Sequence, residues 1–199
     1  MGMMAKLGAI LIMGSAVLVA GCGGPQVERV DANKGIALTD RWNDEDSRLV
    51  SKEMMQDMLT FPWLSRYKMS TDDARRPTVV IHTIRNKTSE HIPSETFVND
   101  IKRELLRSGD VDFVVSGDER DDIRDERRDQ ELNASSETQA QMGQETGANF
   151  ALSGSINSFV DQLDDVRVTS YQIDMKLIDM TTNREVWNGQ KKIKKKLSR

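Results

Sequence analysis

Residues 77–115 read PTVVIHTIRNKTSEHIPSETFVNDIKRELLRSGDVDFVV, and the changes of pattern within this stretch decide the fold. Thr78 to Ile84 is a β-branched run bounded by Pro77 and by the polar RNKTSE, which predicts a strand buried on both faces. From Ser94 the period changes. Phe97, Val98, Ile101 and Leu105 fall on one helical stripe, with Ser94 placed as the N-cap and Gly109 just past the end. VDFVV then supplies a second short strand. The order strand, helix, strand implies a parallel pair joined by a right-handed crossover.

On the N-terminal side, NDEDSRLVSKEMMQDMLTFPWLSRY opens with acidic residues, which suit a helix start, and repeats Val50, Met54 and Met58 with Leu49 and Leu59 beside them. Pro62 ends or bends this helix. Methionines in such a row serve either a core or an adaptable partner groove. Packing against a sheet is the favoured reading.

On the C-terminal side, residues 116–147 are the most polar part of the chain. Asp118 to Glu131 holds eight acidic residues and four arginines around Ile123. Pairs such as Asp121 with Arg124 and Asp125 with Arg128 meet on a helix, so a solvated helix is expected, leading into a second one that ends at Gly147. The carboxylates lack the spacing of a calcium loop.

NFALSGSI and VTSYQIDMKLIDM follow, each with one strongly apolar face at period two, and TTNRE turns the chain into VWNGQKKIKKK as an antiparallel hairpin. The whole predicts an α/β or α+β fold, a mixed sheet of about four to five strands with helices on both faces.

No catalytic constellation accompanies these elements. His82 lies inside a strand and His91 in a turn, neither in H-E-x-x-H nor near a cysteine, and Asp164 with Asp165 reads as a solvated pair. No G-x-S-x-G, P-loop or G-x-G-x-x-G occurs. No catalytic residue, metal or cofactor is therefore expected, and the chain reads as a binding module. With a net charge of −4 it is a poor nucleic-acid binder. The basic tail KKIKKKLSR is open to three readings: a charged edge strand that resists pairing, a patch for anionic lipid, or a docking strip for an acidic partner. The edge strand is favoured.

The first residues, MGMMAKLGAILIMGSAVLVAGC, place Lys6 before fourteen uncharged, mostly apolar residues and end in the only cysteine of 199 residues. That is the layout of a secretory signal, with an apolar stretch shorter than the roughly 20 residues a transmembrane helix needs. Val19-Ala20-Gly21-Cys22 resembles the bacterial lipobox. The resemblance implies cleavage of residues 1–21 and a lipid-modified, usually acylated Cys22, with Gly23 rather than Asp after it pointing to the outer membrane. Removing Lys6 takes the formal charge from −4 to −5. Residues 22–40 then read as a lipid-anchored tether, and residues 41–199 as the periplasmic domain. The 18 residues from Gly23 to Asp40 span about 60 Å when stretched and about 25 Å when relaxed.

RLVSKEMMQDMLTFPWL, RPTVVIHTIRNKTSEHI running into FVNDIKRELLRSG, and GANFALSGSI through YQIDMKLIDMTTNREVWNGQ together resemble the LpoB family of penicillin-binding protein activators. The Asn-Lys-Thr loop and the closing Val186-Trp187-Asn188-Gly189 belong to that pattern, which covers about residues 41 to 190. The resemblance implies a sheet similar to the N-terminal domain of TolB, anchored in the outer membrane. It also implies binding to a bifunctional penicillin-binding protein and allosteric stimulation of peptidoglycan synthesis. Well-described activators of this type carry a long Pro-rich tether, whereas here the tether has one proline. An outer-membrane assembly or secretion lipoprotein with a domain similar to CsgG or TolB is the alternative.

Overall fold

The computed structural model describes residues 27–31, 34–71, 75–143 and 145–198, so the expected signal segment and Cys22 lie outside the described residues. The chain divides into two compact units, Met1–Lys34 and Gly35–Arg199. In the described part of the first, the Lys34 N–H donates to the Asp31 carbonyl at 3.0 Å. Among its described residues the second holds four helices and five strands: α1 (Asp44–Thr60), α2 (Pro62–Ser70), β1 (Thr78–Asn86), α3 (Ser94–Ser108), β2 (Asp112–Phe113), α4 (Asp118–Asn133), β3 (Phe150–Leu163), β4 (Val166–Asp179) and β5 (Glu185–Ser198). The class is α+β, as the patterns predict.

The strands form one mixed sheet in the order β2-β1-β3-β4-β5. β1 is parallel to β2 and to β3, while β3 with β4 and β4 with β5 are antiparallel. The expected parallel pair and the expected C-terminal hairpin are both present. In β4 the alternation is almost complete, with Tyr171, Ile173, Met175 and Leu177 buried on one face. The register aligns Ile81, Leu152, Leu177 and Trp187 across four strands, and this inner face is the core.

Helices α1, α2 and α3 pack on that inner face. α1 starts with a capping box: Asn43 Oδ1 accepts from the Asp46 N–H and the Asp46 carboxylate accepts from the Asn43 N–H, both at 3.0 Å. Its Val50, Met54, Met55 and Met58 are all buried, so the methionine row belongs to the core. The helix stops at Thr60 and Pro62 restarts it as the first residue of α2, where a missing N–H costs nothing. Trp63 Nε1–H bridges the break by donating to the Met58 carbonyl at 2.7 Å. α3 buries Phe97, Ile101 and Leu105 and ends at Gly109, whose φ of 70° lies in the left-handed region.

Several expectations are corrected. Pro93, not Ser94, occupies the N-cap of α3, and Ser94 is the first helical residue with no capping bond. β1 is buried on both faces only from Thr78 to Ile81. The register then slips between Ile81 and Ile84, leaving one extra β1 residue opposite β3, and His82 and Thr83 at the slip are both exposed. Among the described residues no second helix follows α4: those between Ala134 and Asn149 are turns, bends and irregular segments. That stretch has no apolar stripe to bury, and Gly143 takes a φ of 77° that breaks a helix. Helix cover is uneven between the two faces. α4 buries no side chain and is tied near the β2 end by Lys102–Glu119 and by Arg120 Nε on the Val115 carbonyl, so among the described residues the outer faces of β3 and β4 carry no helix.

Candidate partner-binding faces

The uncovered outer side of the sheet holds an open groove of about 470 Å³. Its floor is Ala151, Ser153 and Ser155 of β3 with Lys176 and Ile178 of β4, and its rim carries His82, Arg85, Lys87 and Asn188. The small residues of β3 make the concavity, and the bulge in β1 turns His82 and Thr83 toward it. Asp174 is the one carboxylate lining the groove. Its oxygens accept from Gln172 Nε2 at 2.9 and 3.1 Å and from Gln190 Nε2 at 2.8 Å. Arg85, Lys87 and Lys176 form no ion pair among the described residues, so the groove presents net positive charge.

A second constellation, on the inner side, fastens the start of the folded unit. Asp40 is buried, and its Oδ2 accepts from Thr169 Oγ1 at 2.5 Å. Arg167 Nε lies 2.9 Å from the same oxygen as an ion pair, without the alignment of a hydrogen bond. The Thr169 bond, helped by the nearby Arg167 charge, holds the Asp40 carboxyl below its ordinary range. Tyr171 OH, fully buried, donates to Glu90 Oε1 at 2.7 Å and approaches the Asp40 carbonyl at 3.3 Å. Burial first, and the Glu90 contact second, push the phenol well above its ordinary range, so it remains a donor. The Trp42 N–H donates to Glu90 Oε2 at 3.2 Å, and the Trp42 ring meets Phe97 and Tyr171 edge-on at 6.0 and 5.4 Å.

Glu90 is aimed by the Asn-Lys-Thr loop. Asn86 Nδ2 donates to the Glu90 carbonyl at 2.7 Å, and Asn86 Oδ1 accepts from both the N–H and the hydroxyl of Thr88, at 2.9 and 2.8 Å. The Lys87 N–H donates to the Ile156 carbonyl at 2.8 Å. These residues are scaffold, which sequence reading does not reveal because Glu90 and Tyr171 lie 81 positions apart.

The residues weighed for chemistry do not come together. His82 Nδ1 touches only its neighbour Thr83 Oγ1 at 3.3 Å, and His91 is exposed. Asp164 and Asp165 are the two-residue turn between β3 and β4, with Asp164 at a φ of 48°, a conformation that aspartate tolerates well. Among the described residues no group of histidine, cysteine and carboxylate side chains could hold a metal ion, and no helix is long and apolar enough to cross a membrane.

The second unit is thus an α+β fold with one open, positively charged sheet face. The family model described as peptidoglycan-synthase activator LpoB matches residues 46–193, and the chain belongs to that family, whose members are activators rather than enzymes. No curated protein matches the chain in sequence. Among solved structures, LpoB from Escherichia coli determined by NMR is 16% identical, with 94% of this chain and 85% of that one covered and a TM-score of 0.42. The E. coli LpoB C-terminal domain is 15% identical over 72% of this chain and 97% of that one, with a TM-score of 0.41. Lipoprotein GNA1162 from Neisseria meningitidis is 11% identical over 60% and 83%, with a TM-score of 0.40. At these values the structural likenesses carry no argument of their own, and the family rests on the match over residues 46–193.

Proposed function

We propose that the chain is an outer-membrane lipoprotein, anchored through an acylated Cys22 and facing the periplasm, that binds a bifunctional penicillin-binding protein and activates it allosterically. The observation that carries this reading is the family match, which spans nearly the whole second unit. The uncovered outer sheet face, concave and positively charged, is a surface on which such a partner can dock without any chemistry from this chain. The lipobox supports the anchor. Because the folded unit takes in Gly35, only the 12 residues Gly23–Lys34 separate it from Cys22, and even fully extended they reach about 40 Å.

The test mixes the chain from Cys22 onward, with Cys22→Ser, with the bifunctional penicillin-binding proteins of the same organism. Binding and a faster rate of glycan polymerisation and cross-linking are expected. No binding and no rate change overturns the reading. A ring or partner complex that co-purifies at the outer membrane in cells lacking every such synthase favours the assembly or secretion alternative.

A further inference from the structure

β1 pairs with β3 only as far as Asn86 opposite Ile156, so β3, β4 and β5 continue beyond it as a three-stranded ribbon. The registers fix which side chains share the ribbon's outer side. Lys192, Gln172 and Asn157 form one row across the strands, followed by Lys194, Ser170 and Phe159, then Lys196, Val168 and Asp161, then Ser198, Val166 and Leu163. Successive lysines on this side are about 7 Å apart along β5.

The basic residues of β5 thus divide by face. On the inner side Lys191 pairs with Glu53, and Lys195 pairs with Asp46 and donates to the Arg41 carbonyl. On the outer side Lys192, Lys194 and Lys196 are exposed, and among the described residues none has a carboxylate within ion-pair distance. Asp161 stands two strands away from Lys196, roughly 10 Å, and Asp164 and Asp165 sit in the turn. Asp174 lies one row from Lys192, opposite Gln190, and is engaged by Gln172 and Gln190 rather than by the lysine. On the same side the ribbon exposes Phe159 at 63%, Leu163 at 75% and Val166 at 38%. Lysines beside exposed aromatic and aliphatic side chains on one surface is the composition of an interfacial membrane contact.

We propose that this outer side of the ribbon rests on the anionic phospholipid leaflet, Lys192, Lys194 and Lys196 meeting headgroup phosphates while Phe159, Leu163 and Val166 enter the interface. The proposal rests on the Cys22 anchor of the proposed function. The tether supplies the choice of occupant: with about 40 Å of chain at most between Cys22 and Gly35, the leaflet is held at high effective concentration beside the unit. A second copy is disfavoured on the same surface, because two such lysine rows repel. The contact would hold the unit against its own membrane until a partner draws it off.

The experiment uses the chain from Cys22 with Cys22→Ser, so that no lipid is attached, and sedimentation with phosphatidylethanolamine–phosphatidylglycerol or pure phosphatidylcholine vesicles. Binding to the anionic vesicles only, lost at high salt, is expected. K192E/K194E/K196E should bind at least about tenfold more weakly, and Phe159→Ser should weaken binding while keeping its salt dependence. The triple variant should keep its urea midpoint, which separates lost binding from lost folding. Equal binding by parent and triple variant, or no binding to anionic vesicles, overturns the proposal. So does a triple variant that loses synthase binding when the parent shows no vesicle binding, since the face then serves an acidic protein. Synthase stimulation measured without vesicles separates the two readings. Failure on vesicles with stimulation intact overturns only the membrane contact, and vesicle binding without stimulation supports the contact and overturns only the activator reading.

Discussion

Trp187 and Gly189 show why a hydrophobic-Trp-x-Gly sequence closes the sheet. Both face inward on β5, and the indole lies along the strand so closely that a Cβ on Gly189 would fall 2.2 Å from Trp187 Cζ2. Trp187 Nε1–H then reaches Asp57 Oδ2 of α1 at 2.8 Å, which joins the edge strand to the helix layer. Gly189→Ala must push the indole out of place, so a loss of about 1–3 kcal/mol is expected. A lowered urea midpoint with an unchanged slope would register it. Asp40 gives the second prediction at this scale. Its folded-state pKa is depressed from the ordinary 3.8, chiefly by the Thr169 hydroxyl, so its contribution is fully present above pH 3.8 and fades as pH falls through the folded value. Thr169→Val removes the largest cause of that shift. The variant should lose about 1 kcal/mol at neutral pH, and its stability should fall less steeply than the parent's below pH about 4, read from denaturant midpoints across the acid range.

Among the elements, α4 stands apart because it buries no side chain. It is tied mainly by surface charge, Lys102–Glu119 and Arg124 and Arg127 on Glu145, with Arg120 Nε on the Val115 carbonyl, while Arg128–Asp125 is a pair within the helix. Exposed pairs contribute little and are screened by salt. Amide exchange across 118–133 should therefore be much faster than in α1 or α3, and should quicken further with added salt. Slow exchange matching α3 would contradict this. The same contrast explains what was legible in the sequence. α3 and β4 could be read because Phe97, Ile101 and Leu105, or Tyr171 to Leu177, repeat at the period of their element and bury one face. α4 was legible from its charge spacing. The second helix expected to end at Gly147 is absent among the described residues, because polar composition alone gives no period. The bulge at His82 left no local signal, and neither did the bare outer face. The small-residue floor of the groove, Ala151, Ser153 and Ser155, could be read as a strand but not as a binding surface.

For the whole molecule the consequential feature is where the chain enters the folded unit. Composition places the boundary after Asp40, yet Asp40 is bonded to β4 through Thr169 and Arg167, and its carbonyl faces Tyr171 OH. That contact joins residues 129 positions apart and has no periodic trace in the sequence. A chain starting at Trp42 would leave the Thr169 hydroxyl, fully buried, without its acceptor, whereas one starting at Gly35 keeps the clamp. An unsatisfied buried hydroxyl costs about 1–3 kcal/mol. The shorter chain should therefore unfold at lower urea, and Thr169→Val should destabilise the longer chain but stabilise the shorter one, whose unsatisfied hydroxyl it removes. That double comparison isolates the clamp from general effects of truncation. Equal midpoints for the two chains would show that residues 35–41 hang on the surface rather than belong to the fold. In that case the tether would be longer than 12 residues, and the bound on how far the unit can travel from its anchor would relax with it.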